Sequence, residues 1–186
     1  MNDGAFDVIV VGKGMMGSAA ARYLALAGAR VALLGPDEPA DVASHDGIFA
    51  SHYDQGRITR QLAGDAVWAT LARRAIAAYP AIRAAAGIDF HVPCGTLYVA
   101  PDGPDDDFLP RVTAVAAQQA IAHETLAPSE ATARFPYLSL SGDAAILWEG
   151  APAGYINPRD LVRAQVAAAR RRLDESPAEV AARIRL

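Results

Sequence analysis

The sequence is poor in several residue types, and each shortage closes off a class of function. Cys94 is the only cysteine among 186 residues. An internal disulfide is therefore impossible, and such sparing use of cysteine fits a reducing cytosol. Set between Pro93 and Gly95, Cys94 reads as a small residue at a strand edge. Lysine is equally scarce: Lys13 stands alone, so nearly all positive charge is carried by arginine. The net charge of −4 argues against a nucleic-acid or anionic-membrane surface. No apolar run approaches the ~20 residues needed to span a bilayer. The opening from Met1 to Asp7 lacks the basic start and apolar stretch of a signal peptide, so a cytoplasmic protein is expected. His45, His52, His91 and His123 are scattered, with no i, i+4 pair and supporting carboxylate, so no metal site is expected. Ser18, Ser44 and Ser51 lie outside any G-x-S-x-G context, which argues against nucleophile-elbow hydrolysis. Internal repeats and low-complexity segments are absent.

What is present is concentrated near the amino terminus. With 52% hydrophobic and 20% charged residues, the chain has enough apolar material for one domain or one and a half. Asp7 to Val11 is an apolar run of strand length. It enters Gly12-Lys13-Gly14-Met15-Met16-Gly17, followed by an alanine-rich segment that stops at Gly28 and a second apolar run to Leu34. This is a βαβ unit carrying the dinucleotide G-x-G-x-x-G fingerprint in its expected context. Gly12 allows the tight turn, Gly14 lets backbone approach a pyrophosphate, and Gly17 lets helix and strand pack closely. The helix start at Met15 and Met16 offers free N–H groups and the positive end of the dipole to phosphate. The fingerprint's acid is expected about 20 residues on, at the end of the second strand. That position holds Gly35, with Asp37 and Glu38 just beyond. Two readings stay open for these acids: a ribose contact from the loop, or an ordinary solvated turn.

Pro36 to Phe49 is a loop long enough to point to function. It leads into Ser51-His52-Tyr53-Asp54-Gln55-Gly56-Arg57-Ile58-Thr59-Arg60. Two arginines three apart share a face on a helix and take opposite faces on a strand; the sequence leaves that choice open. Asp65 predicts an N-cap for a helix over 66–86 ended by Gly87, with Trp68, Leu71, Ala75, Ala78 and Ile82 as its core stripe. Pro80 should kink or divide it. Strands are expected over 90–92, 95–100, 123–126 and 144–148, and an acidic turn over 101–107. A helix is expected over 108–122, and a short one capped by Ser129. Asn157-Pro158 starts a further helix, whose last turn carries Arg170, Arg171 and Arg172, suited to the helix dipole. The charged tail follows from Leu173.

Four stretches together resemble the flavin-dependent amine oxidases of the D-amino-acid oxidase superfamily, in particular the monomeric sarcosine oxidase and N-methyltryptophan oxidase group. They are the glycine turn with Ser18-Ala19-Ala20-Ala21; Ser51-His52 with Arg57-Ile58-Thr59-Arg60; Cys94 to Val99; and Gly154 to Leu161. The likeness runs from about Asp7 to Arg172, and the Ser-His with Arg-x-x-Arg segment is the most specific part. The resemblance implies FAD as cofactor, lying along the first βαβ unit and touching Gly12, Gly14, Met15, Met16, Gly17, Asp37, Ser51, His52 and Arg57. It places Arg57 near the reactive flavin edge with His52, and gives Arg60 to the carboxylate of an amino-acid substrate. A guanidinium fork pairing with a carboxylate at two points would fix the amine carbon for hydride transfer. The other reading of either arginine is a structural pair with Asp54 or another acid.

The fold expected is α/β: a Rossmann-like FAD-binding parallel sheet with part of a second α+β substrate-side region. Residues 1–89 would form the FAD-binding core with its flavin-side helices, 90–150 a partial substrate-side region, and 151–186 a return helix and tail. Enzymes of the resembled group are about twice this length, and their later half supplies a lysine linked to oxygen reactivity. The chain is therefore expected to be an amino-terminal fragment, an early-terminated product or one part of a split enzyme, with a missing second half or partner chain. The function expected is oxidation of a C–N carbon of a small amino acid or secondary amine. The alternatives are a non-catalytic nucleotide-binding module and an NAD(P)-dependent dehydrogenase domain, since the glycine motif does not separate NAD from FAD.

Overall fold

A computed structural model describes residues 5–39, 41, 43–47, 50–101 and 107–171. The acidic turn after Pro101, Arg172, the tail from Leu173 and parts of the 36–49 loop fall outside the described residues. The chain divides into two units. One comprises Met1–Arg57, Pro80–Phe90 and Asn157–Leu186; the other comprises Ile58–Tyr79 and His91–Ile156. Among the described residues, no helix is long and apolar enough to cross a membrane.

The first unit is built on the glycine fingerprint. Strand β1 (Val8–Val11) leads through the turn into helix α1 (Met15–Leu26), and β2 (Val31–Leu34) returns parallel to β1, with Val8 opposite Val31 and Val11 opposite Leu34. Gly28, at φ +95°, makes the turn after α1, which costs glycine little and a residue with a Cβ considerably. Helix α5 (Pro158–Arg171) packs against α1. Its buried residues Pro158, Leu161, Val162, Gln165 and Ala168 fall at helical spacing. Asn157 caps α5 as expected: its Oδ1 accepts the N–H groups of Arg159 and Asp160 at 3.1 and 3.3 Å. Arg22 of α1 donates through Nε to Gln165 Oε1, and both side chains are buried. A buried guanidinium with a polar partner locks two otherwise apolar helix faces in one register, because a slip would strand it.

Helix α2 (Ala66–Ala86) spans the boundary between the units at Pro80. Asp65 Oδ1 accepts from Val67 N and Trp68 N at 2.9 and 3.0 Å, the expected cap. Gly87, at φ +68°, ends the helix with its N–H on Arg83 O. Pro80 does not divide it; α2 runs unbroken through the proline. The expected core stripe is corrected. Of its members Ile82 is buried as expected, but Trp68 and Leu71 are 69% and 51% exposed, and Ala69, Ile76 and Tyr79 are buried instead.

The second unit holds two three-stranded sheets. One three-stranded sheet has the order β3 (Arg57–Thr59), β8 (Gly154–Ile156), β4 (His91–Val92); the other has β5 (Thr96–Pro101), β7 (Ala144–Glu149), β6 (Glu124–Leu126). Cys94 lies between β4 and β5, outside both strands. Helix α3 (Phe108–Gln119) packs Leu109, Val112 and Ala116 into a core with Leu62, Ala69, Tyr98 and Leu147. It ends earlier than expected because Ala120 takes a left-handed φ of 52°. Ile121 N then donates to Ala116 O at 2.9 Å and the Ile121 side chain is buried, a closure usually marked by glycine and invisible here in the sequence. The short helix α4 (Pro128–Arg134) starts from Ala127, not from Ser129; the Glu130 carboxylate takes the Ala127 N–H at 2.8 Å.

Candidate functional site

The turn after β1 has the geometry that an anion needs. Gly12 sits at φ +107°, and its N–H extends the ladder to Leu34 O at 2.7 Å. A Cβ on Gly17 would lie 1.7 Å from Gly12 O, so only glycine lets α1 start this close to β1. Gly14, the residue before α1, is extended at φ −83°, and no side chain caps the helix. The first turn contains no acidic residue, leaving the dipole's positive end open to a phosphate.

His52 sits over this turn. It is 6% exposed, and its Nδ1 would be 3.6 Å from a Cβ on Gly14. That nitrogen is buried with no hydrogen-bond partner. A buried polar atom without a partner is costly unless a bound group satisfies it. Burial first, and then the charge of Arg57, lower the His52 pKa below its ordinary 6.5, with Asp54 opposing. The imidazole ring rests edge-on against Tyr53 at 4.8 Å.

Arg57 is held by Asp54, with Nε and Nη2 at 2.8 and 2.7 Å from Oδ2, and it also donates to the Ser51 carbonyl. The structural pairing is thus realised for Arg57, whose side chain stays 37% exposed. Asp37 pairs with Lys13, and Glu38 with Arg159. Gly35 carries no acid for a spatial reason: a Cβ there would lie 2.7 Å from both N and Cβ of Lys13. The Asp37 side chain remains 87% exposed despite its ion pair. Beside the turn lies a cavity of about 410 Å³ lined by Lys13, Asp37, Glu38, His52, Arg159 and residues of α5. Arg159 Nε is another buried atom with no partner. From the sequence Arg159 reads only as part of a helix entry; its partner Glu38 lies far away in the chain, so the pair has no local signal. The orphaned Arg159 donor, the unpartnered His52 nitrogen and the free helix start fit the phosphate and ribose portion of a dinucleotide.

In the second unit, Arg60 follows β3. Because Arg57 opens that strand, the strand reading replaces the helical one for this pair. The Arg60 guanidinium lies 4.9 Å from the centre of the Tyr98 ring. Tyr98 is fixed by its hydroxyl donating to Leu62 O at 2.6 Å, and burial, the largest influence, pushes its pKa up to about 12. Leu62 N and Gln61 N are in turn taken by the Glu149 carboxylate, which is 1% exposed. Tyr98 and Glu149 therefore set the position of Arg60, and neither was singled out from sequence. Among the described residues no group of His, Cys, Asp and Glu could hold a metal ion.

The profile of the FAD dependent oxidoreductase family, DAO, matches residues 7–173. Monomeric sarcosine oxidase from Streptomyces avermitilis is 34% identical over 167 residues, covering 89% of this chain and 41% of that protein. N-methyl-L-tryptophan oxidase from Yersinia pestis is 27% identical, covering 88% of this chain and 42% of that protein. The crystal structure of glycine oxidase from Geobacillus kaustophilus superposes with a TM-score of 0.67 at 24% identity, over 89% of this chain and 44% of that one. The chain thus spans about two fifths of the length of these relatives.

Proposed function

The chain belongs to the FAD dependent oxidoreductase family, and on that basis we propose that it holds FAD along β1, α1 and β2 and serves oxidation of a C–N carbon in a small amino acid or secondary amine. The observation that carries the reading is the uncapped helix start after Gly14, with the orphaned His52 Nδ1 beside it. Family membership favours FAD over NAD(P) and over an empty scaffold. The names of the relatives support amine and amino-acid substrates.

In this assignment the backbone at Gly12, Gly14, Met15, Met16 and Gly17 receives the pyrophosphate. Asp37 takes the ribose hydroxyls from the loop, in place of an acid at Gly35. Ser51, His52 and Arg57 border the flavin, with Arg57 braced by Asp54. Arg60, braced on Tyr98, anchors the substrate carboxylate and so orients the reacting carbon. FAD, when bound, supplies the redox chemistry by accepting a hydride. Residues 1–89 and 151–186 are assigned to the cofactor side and 90–150 to the substrate side. A further segment, in the same chain or a partner chain, completes the pocket; exposure of Ile9 at 61% and Val11 at 83% supports this. A cytoplasmic setting is supported by the free, exposed Cys94.

The test is FAD titration of the parent and of Gly14→Val, followed by flavin fluorescence. A Cβ at Gly14 meets only His52, at ordinary contact distance; the branched methyl groups of valine fill the space the pyrophosphate needs, and circular dichroism checks that the variant is folded. Affinity should fall about tenfold or more. A folded Gly14→Val chain that holds FAD as tightly as the parent would overturn the phosphate site.

A further inference from the structure

The end of β2 carries no acid, and Gly35 leaves no room for one. Two acids follow on the loop, and the fold treats them differently. The Asp37 side chain pairs with Lys13 and is 87% exposed. The Glu38 side chain pairs with Arg159, and each of these two is only 22% exposed. Arg159 belongs to the first turn of α5, which is firmly placed: Asn157 caps it, and Pro158, Leu161 and Val162 are buried. Glu38 is thus tied to a fixed helix. Withdrawing two charges from water is costly, and apolar residues of similar volume would join loop and helix at least as well. The pair therefore calls for a reason beyond packing.

Glu38 and Arg159 line the cavity of about 410 Å³ beside the glycine turn. Lys13 and His52 line it too, and Val166 and Ala167 of α5 give it apolar surface. Its size and its mixture of apolar wall with a few placed polar groups are those of a small-molecule site. Two polar atoms of its lining residues, His52 Nδ1 and Arg159 Nε, are buried without a protein partner, and His52 is 6% exposed. Unpartnered buried atoms of this kind fit a site that a ligand completes.

We propose that Glu38, braced by Arg159, holds the adenosine ribose of the cofactor and does the work of the acid missing at Gly35. A carboxylate has acceptor sites for both the guanidinium and the ribose hydroxyls. Arg159 fixes the carboxylate and keeps its Nε–H for an acceptor on the ligand, while the adenine lies against Val166 and Ala167. Asp37 assists from the loop and contributes less, because its exposed carboxylate is already well hydrated. This rests on the assignment of FAD to β1, α1 and β2, and moves the main hold on the ribose from Asp37 to Glu38.

The 186-residue chain is titrated with FAD, followed by flavin fluorescence, and calorimetrically with ADP and 2′,3′-dideoxy-ADP. The parent should bind ADP about tenfold or more tightly than the dideoxy analogue, since a site built to hold hydroxyls rejects a ligand that lacks them. Glu38→Ala should bring the two ligands level, and Glu38→Gln, which keeps the size of the side chain, should narrow the gap. Asp37→Ala should keep most of it. Arg159→Met should shrink it and Arg159→Lys restore part of it, as expected of a positioning residue. A tie between loop and helix with no ligand role would weaken both ligands alike and leave their ratio unchanged. Thermal melts check that each variant is folded. Equal affinities in the parent, a difference that survives both Glu38 variants, or one lost in Asp37→Ala instead, overturns the proposal and leaves the FAD reading standing. A parent that binds no FAD overturns that reading, and the proposal with it.

Discussion

His52 shows how one residue records what a site is built for. Its Nδ1 is buried and unpaired above the glycine turn, and burial and Arg57 both lower its pKa below the ordinary 6.5. The unfolded chain therefore binds a proton there more readily than the folded one. The sign follows: the stability linked to His52 is present above about pH 6.5 and is lost as pH falls through the lower folded value. Urea unfolding of His52→Gln should lose this part of the acid sensitivity between pH 7 and pH 5; an unchanged pH slope would remove His52 from the account. A phosphate placed beside the ring opposes the lowering, so adding FAD should raise the pKa read from the His52 ring protons by NMR.

Gly35 makes a second residue-scale point. The missing acid reads in the sequence as a departure without a cause. The cause is steric, because Lys13 backbone occupies the space of a Cβ, and no sequence rule places residue 13 against residue 35 that tightly. Restoring the acid as Gly35→Asp should therefore destabilise by ~1–3 kcal/mol through overpacking and should not tighten FAD. A thermal melt checks the first statement and a FAD titration the second; a tighter, equally stable variant would show that the loop yields.

At the scale of elements, the sequence was legible wherever the signal is local. The βαβ unit, the Asp65 and Asn157 caps and the Gly87 stop all depend on residues a few positions apart. It was illegible where the partner is distant. The stripe on α2 fits helical periodicity whether it faces a core or a cavity, so Trp68 and Ile76 cannot be told apart without knowing what packs on each side. The partners of Arg22 and Arg159 lie on another element for the same reason. The caps give a direct check. Asp65→Ala removes the acceptor for two helix N–H groups and should cost ~1 kcal/mol, seen as a fall of about 2–4 °C in Tm. Gly17→Ala should cost more, because its Cβ meets the Gly12 carbonyl, a contact between backbone segments that no rotamer change relieves. If Gly17→Ala proves milder than Asp65→Ala, the close approach of α1 to β1 is less rigid than described.

For the whole molecule, the relevant comparison is between what the chain holds and what its relatives hold. It aligns with about two fifths of monomeric sarcosine oxidase, and the parallel pair leaves Ile9, Val11 and Leu34 between 53% and 83% exposed. The only lysine, Lys13, is paired with Asp37 at the glycine turn, so it cannot serve as the lysine that the family resemblance links to oxygen reactivity. Cofactor binding and turnover should therefore separate. The purified 186-residue chain is expected to bind FAD, yet peroxide formation or dye reduction with N-methyl and D-amino acids should stay at background. Catalysis of this kind needs a pocket that closes around the substrate and excludes competing reactions. Adding a polypeptide that matches the remaining three fifths of the relatives should cover the exposed apolar strand face and restore turnover. Steady turnover by the chain alone, lost in Arg57→Ala and Arg60→Ala, would show instead that this length is a complete catalyst, self-associated through that same face.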